Sequence, residues 1–180
     1  MKQIIDWFWK FVETIALWCL RLLFKILHRD LSEKTETGFL QFVRFGVVGV
    51  SNTVVAYAIY AAALLVIKSG GLWEKYDYLI ANVTSFILSV AWSFFWNNKY
   101  VFTVEEGESR SVFKALIKTY ISYSFTSLFL SSVLMVFWVQ ALGVSEFLAP
   151  FLNMFVNVPI NFMINKFWAF KKERNIRREP

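Results

Sequence analysis

Four long stretches of this chain carry no charged residue. Phe45 to Ile67 runs 23 residues, Tyr78 to Asn98 runs 21, Thr119 to Ser145 runs 27 and Phe147 to Asn165 runs 19. A helix needs roughly 20 mostly apolar residues to cross the hydrocarbon core of a bilayer. Four such helices in 180 residues would leave a soluble domain too little polar surface. Composition agrees, with 57% hydrophobic and only 18% charged residues, against about 25% charged in soluble domains. The chain therefore reads as all-α, a polytopic membrane protein with four transmembrane helices at about 43–67, 78–99, 117–141 and 146–167. Glu146 alone separates the last two runs, and Gly143, Val144 and Ser145 supply a tight turn there.

The cations give an orientation. Seven Lys and Arg fall in residues 1–44, four in 97–118 and six in 166–180, while the other two loops hold only Lys68 and Lys75. Seventeen of nineteen then share one side, which the positive-inside rule makes cytoplasmic, with both termini inside. Trp73, Tyr76 and Tyr78 suit the outer interface; Trp96, Tyr100, Phe102, Trp168 and Phe170 suit the inner one. The net charge of +6 would suggest nucleic acid in a soluble chain. In one this apolar it points instead to an anionic membrane surface or a phosphate-bearing lipid. Membrane lipids are thus expected partners and nucleic acid is not. A single cysteine, Cys19, excludes an internal disulfide.

Residues 1–29 differ from the spans. Asp6, Lys10, Glu13, Arg21, Lys25 and His28 recur on one helical face, and Trp7, Phe8, Phe11, Val12, Ile15, Trp18, Leu22 and Ile26 fill the other. That pattern predicts an interfacial amphipathic helix on the inner leaflet, preceding the spans. Residues 30–38 read as a polar linker, 103–112 as a polar loop and 173–180 as a basic cytoplasmic tail.

The second and fourth spans resemble each other at an offset of 68. Ser93-Phe94-Phe95-Trp96-Asn97 matches Asn161-Phe162-Met163-Ile164-Asn165, and Ser85, Ser89, Ser93 and Asn97 align with Asn153, Asn157, Asn161 and Asn165. The first and third spans match more weakly at 74, Arg44 with Lys118 and Thr53 with Ser127. Two helices per repeat predicts a parallel two-plus-two repeat. Residues four apart stay near one helix face, so each set forms a polar ladder. An asparagine facing lipid would cost several kcal/mol, so the ladder must face other helices, water or a polar ligand. Helix–helix adhesion is the plain explanation for one asparagine. Matching ladders in both halves favour a ligand path, which Asn52, Thr53 and Asn82 could join. Gly46 and Gly49 are expected to allow close helix packing, and Pro150 and Pro159 to bend the fourth span.

Arg44, Lys99, Lys118 and Lys166 cap the spans at their cytoplasmic ends. They read either as topology markers that snorkel to lipid phosphates or as a cationic collar that captures a phosphate, with Arg44 the bidentate member. No P-loop, dinucleotide motif or metal-ligand cluster occurs, and no Asp or Glu lies inside a span. His28 reads as a headgroup contact. No enzyme, cofactor or metal site is expected.

Phe42-Val43-Arg44-Phe45-Gly46-Val47-Val48-Gly49 with Asn52-Thr53 and Tyr57 resembles the opening signature of the GtrA-like family. Asn82 through Phe102 resembles its second signature, and Asn157 to Phe170 its third. The resemblance covers about residues 39–172. Asn98 departs from it, since the family often has a basic residue there, and Lys99 supplies that charge. The resemblance implies a bacterial inner (cytoplasmic) membrane protein of polysaccharide synthesis. It would move polyprenyl-phosphate-linked sugars, such as undecaprenyl-phosphate glucose, to the outer leaflet. Two alternatives stand beside it: a non-transporting scaffold for a polyprenyl-phosphate glycosyltransferase, and a small multidrug-type exporter. Four helices make a thin wall around a sugar, so a homo-oligomer is expected.

Overall fold

The computed structural model describes residues 2–71, 76–104, 108–145 and 148–174. The expectations placed on Trp73, Lys75, Glu146, Phe147 and residues 175–180 fall outside these. The chain is mostly helical. Helix α1 spans Lys2–Ile26. Among the described residues, three helices are long and apolar enough to cross a membrane: α2, Glu33–Ser69; α3, Asp77–Val101; and α4, Val112–Ala141. The fourth expected span is also a helix, α5, made of Ala149–Ile164 and a π turn over Asn165–Ala169. Four asparagines, Pro159 and Lys166 interrupt its apolar run.

Two readings are corrected. The segment taken as a linker at 30–38 is helical from Glu33. Ser32 caps it, its Oγ accepting from the Thr35 N–H at 3.3 Å, and Glu33 and Glu36 face the positive helix end. The all-α reading also needs a small addition, because β1, Glu108–Ser109, pairs antiparallel with β2, Glu173–Arg174.

The chain divides into two compact units, 1–47 and 48–180. In the first, α1 buries Trp9 and Leu20 but not its expected apolar face. Trp7, Phe8, Phe11, Ile15, Trp18, Leu22 and Ile26 are all exposed, with Trp7 and Trp18 at 66%. Arg44 on α2 meets Glu13 on α1 twice, through Nη2 at 2.7 Å and Nε at 2.9 Å. Arg21 likewise reaches Glu36 at 2.9 and 3.3 Å.

In the second unit, α3, α4 and α5 pack around a small polar interior. Ser111 caps α4, its Oγ accepting from the Lys114 N–H. Gly143, at φ +65°, ends α4 in the left-handed backbone that a glycine adopts without a Cβ clash. The remainder of α2 joins α3 through hydrogen bonds from Ser85 Oγ to the Ala56 carbonyl at 2.6 Å and from Trp92 Nε1 to Ser51 Oγ at 3.1 Å. The close packing expected at Gly46 and Gly49 is not seen among the described residues, where a Cβ at either would meet nothing within 4 Å.

Candidate functional site

The polar interior is built by residues spaced three or four apart on three helices. Ser85, Ser89, Ser93 and Asn97 on α3 are buried, as are Asn153 and Asn165 on α5. Asn157 and Asn161 are half-buried. Facing them on α4 is a stripe that sequence reasoning missed: Thr119, Ser122, Tyr123 and Thr126, all buried. Their i, i+3, i+4, i+7 spacing is the signal that would have found them.

Adjacent residues on α4 tie it to both neighbours. Tyr123 Oη and Ser93 Oγ share a hydrogen bond at 2.7 Å, and Asn97 Nδ2 donates to Ser93 Oγ at 3.1 Å. The Tyr123 hydroxyl also faces the amides of Asn97 and Asn161. On the α5 side, Ser122 Oγ donates to Asn161 Oδ1 at 3.0 Å. Asn165 Nδ2 reaches Ser122 Oγ at 3.2 Å, Asn161 Oδ1 at 2.9 Å and the Asn161 carbonyl at 2.8 Å. Further along the helices, Ser131 collects the other two rungs. Asn153 Nδ2 donates to its carbonyl at 3.1 Å and Asn157 Nδ2 to its Oγ at 2.6 Å. Ser131 follows a π stretch, Phe125–Leu130, and its own Oγ donates five residues back to the Thr126 carbonyl. The altered register there redistributes main-chain acceptors.

Not every hydrogen-bonding group is used. The Oδ1 atoms of Asn97, Asn153, Asn157 and Asn165 are sealed from the surface and have no partner among the described residues. Asn52 Oδ1 on α2 is in the same state. Two other α2/α3 candidates lie apart from this interior: Thr53 is exposed and bonds the Gly49 carbonyl of its own helix, and Asn82 is exposed. Ser89 bonds the nearby Phe86 carbonyl at 3.4 Å.

One end of the bundle has a second constellation. Helices α3 and α5 both finish in π turns that open on a fully buried asparagine, Asn97–Val101 and Asn165–Ala169. In each, the N–H five residues on, of Phe102 or Phe170, returns to that asparagine's carbonyl at 2.8 Å. Arg110 sits where the two ends meet. Its Nη1 donates to the Phe170 carbonyl at 3.1 Å, and its Nη2 to the Phe102 carbonyl at 2.8 Å and Asn98 Oδ1 at 2.6 Å. A guanidinium fork at two helix C-termini satisfies two sets of terminal carbonyls at once. Burial pushes its pKa down from the ordinary value, and Glu108 offsets part of that.

The proposed cationic collar is distributed over both units. Arg44, in the first, is engaged by Glu13. The three lysines, in the second, lie over aromatic rings. Lys99 Nζ is 5.3 Å from the Tyr100 centroid, Lys118 Nζ 5.6 Å from Trp168 and Lys166 Nζ 5.3 Å from Phe162. Lys118 also donates to the Trp168 carbonyl at 3.3 Å. Cation–π contact at exposed sites is worth about 0.5–1 kcal/mol, weak enough for an anion to compete. Among the described residues no group of three His, Cys, Asp or Glu could hold a metal ion.

Residues 44–170 match the family described as the GtrA/DPMS transmembrane domain. Among curated proteins, the uncharacterized membrane protein YwcD of Bacillus subtilis (strain 168) is 32% identical over 98 residues, 54% of this chain and 76% of that protein. No solved structure matches.

Proposed function

Because the chain belongs to the GtrA/DPMS transmembrane-domain family, we propose that it translocates a polyprenyl-phosphate-linked monosaccharide, such as undecaprenyl-phosphate glucose, from the cytoplasmic to the outer leaflet of a bacterial inner membrane. The observation that carries this reading is the polar ladder through α3, α4 and α5, with asparagine oxygens left over on four rungs. A sugar headgroup loses its hydration in the bilayer, and each hydroxyl without a partner costs about 1–3 kcal/mol. A row of polar side chains replaces that water while the polyprenyl tail stays in the lipid. Lys99, Lys118 and Lys166, at the end where α3 and α5 finish and α4 begins, supply positive charge for the phosphate. Consumption of the sugar outside would make the movement directional without fuel on this chain.

In this reading α5 is a fourth span and the chain a parallel two-plus-two repeat. Support comes from the matching π turns at Asn97 and Asn165. Helix α1 then lies along the inner surface, its exposed tryptophans and phenylalanines in the acyl boundary. Both termini are cytoplasmic in this arrangement.

A second reading has its own observation. Every asparagine rung of α5 also bonds within the bundle, as Asn165 does three times. A bundle held together in this way would serve as a scaffold for a polyprenyl-phosphate glycosyltransferase. Reconstitution of the purified chain alone separates the two. Translocation of the glycolipid without any other protein supports the first reading, and its absence supports the second.

A further inference from the structure

The hydrogen-bond bookkeeping of the ladder assigns a chemical sense to what is left over. Asn165 Nδ2 is anchored by a main-chain carbonyl, that of Asn161. Asn153 Nδ2 is anchored by another, that of Ser131. A carbonyl only accepts, so neither amide can be turned round. Asn157 Nδ2 faces Ser131 Oγ, whose one proton is already given to the Thr126 carbonyl. That serine can therefore only accept, and the Asn157 amide is fixed as well. Asn97 Nδ2 points at the hydroxyl of Ser93. In all four the remaining atom is Oδ1, buried and without a partner. Among the described residues, the buried side-chain nitrogens with no partner, Trp96 Nε1, Trp138 Nε1 and Arg110 Nε, belong to side chains outside the ladder.

Resting on the translocation reading, we propose that the ladder selects its cargo through hydroxyl donors: the rung atoms left with no partner at all are four amide oxygens, so a headgroup that satisfies them must bring protons. Buried acceptors left unmade are costly, and the closed bundle holds four of them. Parting the helices around a polyhydroxylated headgroup relieves that cost, and an acceptor-only headgroup would not. Rungs four residues apart are separated by about 6 Å along the helix. One monosaccharide can thus touch the next rung before it leaves the last.

The test uses the full chain in vesicles and a short-chain polyprenyl-phosphate glucose as probe. Analogues have one ring hydroxyl at a time either methylated or removed. Methylation keeps the oxygen and takes away the proton; the deoxy sugar also lacks the donor but is smaller. We expect at least one position at which both analogues cross tenfold or more slowly than the parent. Asn157→Leu should shrink that difference severalfold, because the acceptor is gone. Equal rates for parent and analogues overturn the proposal, as does a loss confined to the bulkier methyl ether. A parent that crosses no faster than in protein-free vesicles removes the translocation reading and the proposal with it. The analogue series on the unaltered protein needs no variant to fold.

Discussion

The rings of Phe102 and Phe170, 68 positions apart, stack with centroids 4.6 Å apart and planes at 22°. Around them two contacts exchange partners. Phe94 stacks on Phe170 at 5.5 Å, and Phe162, the counterpart of Phe94, stacks on Phe102 at 6.0 Å. These two contacts are reciprocal at the same offset of 68, and Arg110 bonds the carbonyls of both Phe102 and Phe170.

Arg110→Gln should therefore loosen both helix ends at once. Two main-chain carbonyls and one amide lose a charged donor. For a half-exposed group the expected loss is about 1–3 kcal/mol. Arg110→Lys should recover only part, since an ammonium cannot fork between two carbonyls. Denaturant unfolding in detergent measures this; a change under 0.5 kcal/mol would remove Arg110 from its bridging role.

Asn165 and Asn97 occupy equivalent turns but carry unequal loads. Asn165 Nδ2 reaches three acceptors, while Asn97 Nδ2 donates to Ser93 Oγ and its amide faces the Tyr123 hydroxyl. At about 0.6 kcal/mol per polar contact in membrane proteins, Asn165→Ala should cost about 2 kcal/mol and Asn97→Ala about 1 kcal/mol. The reverse order would show that the bond count does not govern the stability of this end.

Cys19 is exposed and is the chain's one cysteine. A nitroxide attached there reports the depth of α1 without further engineering. The surface-lying helix predicts a label about 5–10 Å below the headgroups. A label at the bilayer centre, or in bulk water, contradicts it.

The Arg21–Glu36 pair gives a pH dependence. Its hydrogen bond to Arg21 holds the Glu36 carboxyl below the ordinary value. A lowered carboxylate stabilises fully above its unfolded pKa and loses that contribution as pH falls through the folded one. The pair should then persist at neutral pH and open only in acid below the ordinary carboxylate range. Arg21→Gln should return the Glu36 titration to normal, measured by carboxyl NMR. An unchanged titration would mean that the pair does not form in solution.

Much of the helical layout could be read from charge-free runs, because lipid tolerates no other reading of such lengths. The four-residue spacing from Ser85 to Asn97 likewise placed one face inward, where the structure buries it. Other features left no such trace. The π turns at Asn97 and Asn165 depend on one extra residue in the hydrogen-bond register, which residue preferences do not encode. Arg110 looked like an ordinary loop cation because its partners are carbonyls, which every residue has. The exposed apolar residues of α1 and the burial of Trp9 were not legible either, because an amphipathic pattern marks an apolar side without saying what covers each residue. Thr119, Ser122 and Thr126 hid in a run chosen for lacking charge.

The most direct measurement is the rate, per folded molecule, at which undecaprenyl-phosphate glucose crosses vesicles that contain only this chain. Asn157 bonds Ser131 through one amide end and leaves the other unused, so Asn157→Leu should slow crossing about tenfold with folded protein unchanged. Crossing with the unaltered chain should run well above that of protein-free vesicles and be reduced in that variant. A rate equal to that of protein-free vesicles would contradict it.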